Sequence, residues 1–165
     1  SQTVSMISVL KSIPVLAAEM LKSSRIATNC ERTTEAGTGN ISFEFVSRGA
    51  KHVLSIDSHP RCVQYLKGNI RELEIEEQMQ VYKSDCVVYC RNAQNIQYDL
   101  IFTDPPFHLN FHEELIQTIF DKKLLKKGGL LIVEHGKQTD LSSLPTFSFS
   151  RNFGNVHFSF FQEKD

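Results

Sequence analysis

The chain has 165 residues, 41% of them hydrophobic, and a formal net charge of −1. That is the length of one domain with a sizeable core, and the balanced charge excludes the strongly basic footprint usual in nucleic-acid modules, short of a local patch. Four cysteines (Cys30, Cys62, Cys86, Cys90) form no CxxC pair, which argues against zinc and fits reduced thiols in a cytoplasmic protein.

No apolar run reaches the roughly 20 residues needed to cross a bilayer, and the first residues lack the charged start and cleavage site of a signal peptide. A cytoplasmic chain with no membrane contact and no metal is therefore expected.

Met6, Val9, Leu10, Ile13, Leu16, Ala17, Met20 and Leu21 follow helical spacing, with Pro14 placed to open a helix over residues 14–24. Residues 25–35 are polar and aperiodic and read as loop. Ala36-Gly37-Thr38-Gly39-Asn40 follows. Paired glycines of this kind usually join a buried strand to a helix, where they let backbone approach a ligand. The helix side is present, from a capping Asn40 to a stop at Gly49. The strand side is not apparent.

Beyond Gly49 the alternation is regular. His52 to Asp57 reads as a strand ending in an acid, and Pro60 opens a helix with Cys62, Val63, Leu66, Ile70 and Leu73 on one face. Met79 to Asp85 is a second strand ending in an acid, and residues 86–92 suit a short helix. Tyr98 to Thr103 is an apolar strand running into Asp104-Pro105-Pro106-Phe107. Phe111 to Lys123 is helical, Lys126-Lys127-Gly128-Gly129 a turn, and Leu130 to His135 a strand. Phe147 to Phe153 and Val156 to Phe161 flank Gly154-Asn155, a hairpin signal.

Strands alternating with helices predict an α/β fold with a mostly parallel sheet, and the hairpin predicts an antiparallel strand near its edge. Ligands of such sheets bind beyond the carboxyl ends of the strands. Gly37, Gly39, Asp57, Asp85 and Asp104 all fall at that rim. An acid about 20 residues after a glycine turn suits a ribose diol. Asp85 can accept from an adenine amine, and the Cys86 backbone N–H can donate to the ring. At Asp104 the two prolines remove backbone donors, leaving fixed acceptors for an exocyclic amine and the flat face of Phe107 beside them. An adenosine cofactor next to an amine is the layout of a methyl transfer.

Ala36-Gly37-Thr38-Gly39-Asn40, Ser55-Ile56-Asp57, Ser84-Asp85-Cys86 and Asp104-Pro105-Pro106-Phe107 together resemble the S-adenosylmethionine-dependent amino-methyltransferases. Val133-Glu134-His135 and the closing Phe153-Gly154-Asn155-Val156 make the chain most similar to the RsmD-type small-subunit ribosomal RNA guanine-N2 methyltransferases, over about residues 36–161. The resemblance implies a Rossmann-like sheet of seven strands in the order 3-2-1-4-5-7-6 with a C-terminal antiparallel hairpin. It implies S-adenosylmethionine as cofactor, with Ala36, Gly37, Thr38, Gly39 and Asn40 lining it, Asp57 and Ser58 at the ribose, Asp85 and Cys86 at the adenine, and Asp104 beside the methyl. It implies that Asp104, Pro105, Pro106 and Phe107 form the catalytic set, and that the partner is ribosomal RNA or the small ribosomal subunit.

The division expected is an N-terminal helix and loop over residues 1–35, atypical for that family, and a methyltransferase domain over 36–165, acting as a monomer. The family's Arg-Pro-Thr stretch and apolar first strand are not found: Arg32-Thr33-Thr34-Glu35 lacks the proline and abuts Ala36. The expectation is that residues are absent between about 25 and 36, or that the N-terminal segment is not the native one. The same motifs also serve N6-adenine and protein-glutamine methyltransferases, and a non-catalytic methyltransferase-like binding subunit would carry the same fold. Lys122, Lys123, Lys126 and Lys127 are either phosphate contacts or a solvated face.

Overall fold

The computed structural model of the chain describes residues 24–30, 40–104 and 109–164. Within them, seven strands form a single sheet: β1 (Arg25–Cys30), β2 (His52–Asp57), β3 (Met79–Lys83), β4 (Tyr98–Asp104), β5 (Leu125–His135), β6 (Phe147–Phe153) and β7 (Val156–Phe161). The spatial order is β3-β2-β1-β4-β5-β7-β6. Strands β3, β2, β1, β4 and β5 run parallel, and β7 is antiparallel to both of its neighbours, β5 and β6. The architecture is thus the Rossmann-like one expected from the motifs.

The helices are α1 (Asn40–Ser47), α2 (Pro60–Glu72), α3 (Cys86–Asn92) and α4 (Leu109–Asp121). One face of the sheet, through Ile26, Val53, Leu100, Phe102, Ile132 and Phe158, packs with Ile41 and Phe45 of α1 and with Leu66 and Ile70 of α2. The other face, through Ala27, Ile56, Ile101, Leu131 and Val133, packs with Cys86, Val87 and Cys90 of α3 and Leu115, Ile116 and Ile119 of α4. Strands buried on both faces need apolar residues at nearly every position, and β4 is buried at all positions except Asp99.

One expectation is overturned. Residues 25–30 do not form a loop: they are the central strand, with β2 on one side and β4 on the other. The strand before the glycine turn is therefore present. Its polar composition hides it. Ile26 and Ala27 supply the apolar contacts, and the buried Thr28 is satisfied by hydroxyls from other elements. Thr28 Oγ1 lies 2.6 Å from Ser42 Oγ and 3.0 Å from Ser55 Oγ, and the two serine oxygens are 2.8 Å apart. This closed ring of three hydroxyls removes the penalty for burying them. The helix expected over residues 14–24 and the segment 31–39 lie outside the described residues, apart from Ser24.

A second difference lies at Lys126 to Gly129. This stretch is not a turn before the strand; it belongs to β5, where the pairing jumps from Tyr98↔Leu125 to Leu100↔Leu130. The extra residues form a bulge. Gly128 has φ +80°, and a Cβ on Gly129 would meet the Lys126 carbonyl at 2.8 Å, so both glycines are required.

Candidate active site

The carboxyl ends of the parallel strands are level. Asn29 pairs with Ile56, Cys30 with Asp104, Asp57 with Lys83, and Thr103 with Val133. Asp57, Asp104 and Glu134 therefore stand in one row across β2, β4 and β5. Side chains alternate along a strand, so all three project to the side of Phe102 and Ile132, the side covered by α1. All three are buried, with Asp57 4% and Asp104 and Glu134 each 1% exposed.

Asp57 closes β2, where its Oδ1 accepts the backbone N–H of His59 at 2.8 Å. Its carbonyl accepts from Ser84 N at 3.0 Å, which ties the end of β2 to the loop after β3. Among the described residues nothing donates to Oδ2. Burial raises the Asp57 pKa, against the lowering effect of the His59 N–H and of the His59 ring. Ser58, next in the chain, is exposed.

Asp85 repeats the pattern one strand over. It caps α3, its Oδ1 accepting from Val87 N at 2.9 Å and Val88 N at 3.0 Å, and Oδ2 has no donor among the described residues. Each acid thus uses one oxygen to fix its own loop. Cys86, the first residue of α3, is buried. Behind it Cys90 is held as a neutral thiol, its pKa pushed up to about 12 by burial and by the Asp85 charge.

Asp104 ends the most buried strand, flanked by Cys30 on β1 and, one row earlier, by Thr103 opposite Val133. Pro105, Pro106, Phe107 and His108 follow it outside the described residues, as do Ala36, Gly37, Thr38 and Gly39. Asn40 opens α1. In the sequence, residues 31–39 join the end of β1 to the start of α1. The hydroxyl ring of Thr28, Ser42 and Ser55 holds the first turn of α1 against β1 and β2 just below the rim.

Glu134 carried no role in the sequence reading. The acid directly after Leu130 to Val133 was the available signal, because an acid at the end of an apolar run is costly to bury without a purpose. His135, on the opposite face, contacts Gly136 O through Nδ1 at 2.9 Å and Ser159 Oγ through Nε2 at 2.6 Å. The carbonyl can only accept, so Nδ1 carries the proton, and in the neutral ring Nε2 accepts from the serine. Burial lowers the His135 pKa, and the nearby His157 and His112 lower it further.

The donor set suits an adenosine cofactor. Asp57 and Asp85 each use Oδ1 for a backbone N–H, and a second carboxylate oxygen of this kind can accept from a hydroxyl or an amine. Among the described residues there is no group of three or more His, Cys, Asp and Glu arranged to hold a metal ion, and no helix long and apolar enough to cross a membrane.

A family model described as Conserved hypothetical protein 95 matches residues 26–162. A putative rRNA methyltransferase, YlbH, of Bacillus subtilis is 28% identical over 108 residues, 64% of this chain and 59% of that protein. Ribosomal RNA small subunit methyltransferase D of Haemophilus influenzae is 33% identical over 108 residues, 64% of this chain and 56% of that protein. The matched part of the chain thus spans a little over half the length of these relatives. Among solved structures, a putative methylase from Haemophilus influenzae superposes with a TM-score of 0.81 at 25% identity, covering 98% of both chains. A Thermus thermophilus 16S rRNA N2 methyltransferase (RsmC), solved with AdoMet and guanosine, shares the fold with a TM-score of 0.75 at 16% identity over 98% of this chain and 43% of that one.

Proposed function

The chain belongs to the family described as Conserved hypothetical protein 95, that of the RsmD-type methyltransferases, and from that membership we propose that it transfers a methyl group from S-adenosylmethionine to the exocyclic N2 amine of a guanine in small-subunit ribosomal RNA. The observation that carries the proposal is the row of buried acids at the carboxyl rim, with Asp104 leading directly into Pro105-Pro106-Phe107. The Haemophilus influenzae relative named small subunit methyltransferase D supports the choice of RNA.

In this reading Asp57 and Ser58 bind the ribose of the cofactor, Asp85 with Cys86 the adenine, and Ala36 to Asn40 the remainder. When bound, S-adenosylmethionine supplies an electrophilic methyl on a sulfonium. Asp104 and the Pro105 carbonyl accept the two hydrogens of the guanine amine. Their acceptance draws the nitrogen lone pair out of conjugation with the ring and aims it at that methyl. Phe107 stacks on the base, a contact worth roughly 1–3 kcal/mol. The base enters unpaired or flipped, because within a stacked pair the amine donates to cytosine and the faces of its nitrogen are covered by neighbouring bases. The rate enhancement is mainly positioning and fixed electrostatics.

Replacing Asp104 tests the assignment. Asp104→Ala is expected to lower methyl transfer by about a hundredfold or more, the scale seen when a preorganised polar group at a reacting centre is removed. Cofactor affinity is expected to stay within a few fold. A variant that turns over normally contradicts the role.

A further inference from the structure

At the end of the sheet opposite the acids, an open cleft of about 640 Å³ is lined by Arg25, Asn95, Gln97, Lys122, Lys123 and Lys126 among others. These residues come from three separate places: the start of β1, the loop before β4, and the stretch from the end of α4 into β5. One carboxylate knits them together. Asp99 Oδ2 accepts the Arg25 backbone N–H at 2.8 Å and pairs with Lys126 Nζ at 3.3 Å. Gln97 Nε2 donates to the Lys123 carbonyl at 3.1 Å, fixing the other wall. Two non-glycine residues there, Asn95 and Lys123, hold positive φ of 56° and 53°.

The side chains of Arg25, Lys122 and Lys123 have no carboxylate partner among the described residues, and all three are exposed. Lysines after a helix complement its carboxyl-end dipole, which accounts for Lys122 and Lys123 after α4. It does not account for Arg25, which lies at the start of another element, while Lys126 on β5 is held by Asp99. In a chain of net charge −1, such convergence of cations on one concavity favours a polyanion.

We infer that this cleft is a second RNA contact, which binds backbone phosphates of a segment distinct from the one that carries the target base. The inference rests on RNA being the substrate. Strand β4 connects the two places, running from Tyr98 beside the cleft to Asp104 at the rim. At about 3.3 Å per residue they are about 20 Å apart. A single nucleotide cannot reach both, so engaging the two places together needs an RNA of several nucleotides or more.

The test is a salt titration of binding to small-subunit RNA, read by filter retention without turnover. Three proteins are compared: the parent; the cleft variant Arg25→Gln/Lys122→Gln/Lys123→Asn, in which asparagine suits the positive φ; and a control with the same charge loss elsewhere, Lys67→Gln/Arg71→Gln/Lys164→Gln. Each phosphate contact removed lowers the slope of log K against log salt by about 1. The cleft variant is expected to bind severalfold more weakly with a slope smaller by about 2–3, while the control matches the parent and all three retain cofactor affinity. A cleft variant with lost cofactor affinity has lost its fold, and the single variant Lys122→Gln then carries the test with a slope change of about 1. Equal slopes and affinities for parent and cleft variant overturn the inference, as does a parent that does not bind RNA. A parent that methylates RNA while the cleft variant binds as well as it does leaves the proposed activity standing and removes the cleft. A parent that binds RNA through the cleft yet methylates none does the reverse.

Discussion

Asp57 and Asp104 stand level with each other on the two strands that flank β1, both buried and both on the α1 side of the sheet. In the proposed function each has a separable task, one toward the cofactor and one toward the substrate amine, which makes Asp57 testable apart from the chemistry. Burial raises its pKa, so the native state holds the proton to a higher pH than the unfolded chain does. Below the unfolded value of about 3.9 the charge imposes no penalty. As pH rises through the raised native value, the penalty is fully incurred and persists at neutrality.

Asp57→Asn keeps an oxygen for the His59 N–H and removes the charge. It is expected to be at least as stable as the parent at pH 7 by chemical denaturation. Its affinity for S-adenosylmethionine by calorimetry is expected to fall by about tenfold or more, because a hydrogen bond to a charged acceptor contributes about 1.5–3 kcal/mol. Unchanged affinity would remove Asp57 from the cofactor site.

Asp85 separates capping from binding in the same way. Asp85→Ala removes both bonds to the start of α3 and is expected to cost about 1 kcal/mol of stability. Asp85→Asn retains the capping oxygen but places a donor where an adenine amine needs an acceptor. It is expected to unfold like the parent and to bind the cofactor weakly. Equal cofactor binding by both variants and the parent would leave Asp85 as a helix cap alone.

The hydroxyl ring predicts strong coupling. In Ser42→Ala one of the Thr28 and Ser55 hydroxyls, 3.0 Å apart, still donates to the other, whose own proton loses its acceptor, so the loss is expected to be about 1 kcal/mol. Thr28→Val leaves Ser42 and Ser55 in the same position. The triple replacement Thr28→Val/Ser42→Ala/Ser55→Ala is expected to lose less than the sum of the single losses, since no buried hydroxyl is left unpaired. Additive losses would show that the three oxygens act independently.

His135 sets a pH dependence of the opposite sense. Its lowered native pKa means that the stability it provides is fully present above the unfolded value of about 6.5 and is lost as pH falls from there toward the native value. His135→Gln is expected to flatten the fall in denaturation midpoint between pH 7.5 and pH 5.5. An unaltered profile would place the titration at another group.

Much of this was legible in the sequence because it depends on short-range chemistry. Pro60 at a helix start, the Gly154 turn and the acids closing β2 and β4 all announce themselves locally. What was hidden depends on partners far along the chain. Arg25 to Cys30 reads as loop because Thr28 is polar, and the serines that satisfy it lie 14 and 27 residues away. The bulge at Lys126 to Gly129 reads as a turn because its glycines are the residues a turn would use. Glu134 is visible only as an oddity until the register places it beside Asp104. The cleft at the amino end of the sheet joins Arg25 to Lys122 and Lys123, a combination that the strand order alone brings about.

The most direct test of the central claim is the identity of the methylated atom. The parent protein is incubated with methyl-labelled S-adenosylmethionine and, in separate reactions, small ribosomal subunits, protein-free small-subunit RNA and duplex DNA. The products are digested and the labelled species identified by chromatography and mass spectrometry. Label in N2-methylguanosine from the subunit or its RNA is the predicted result. Label in N6-methyladenine or in protein, or no label in any substrate despite cofactor binding, would contradict it.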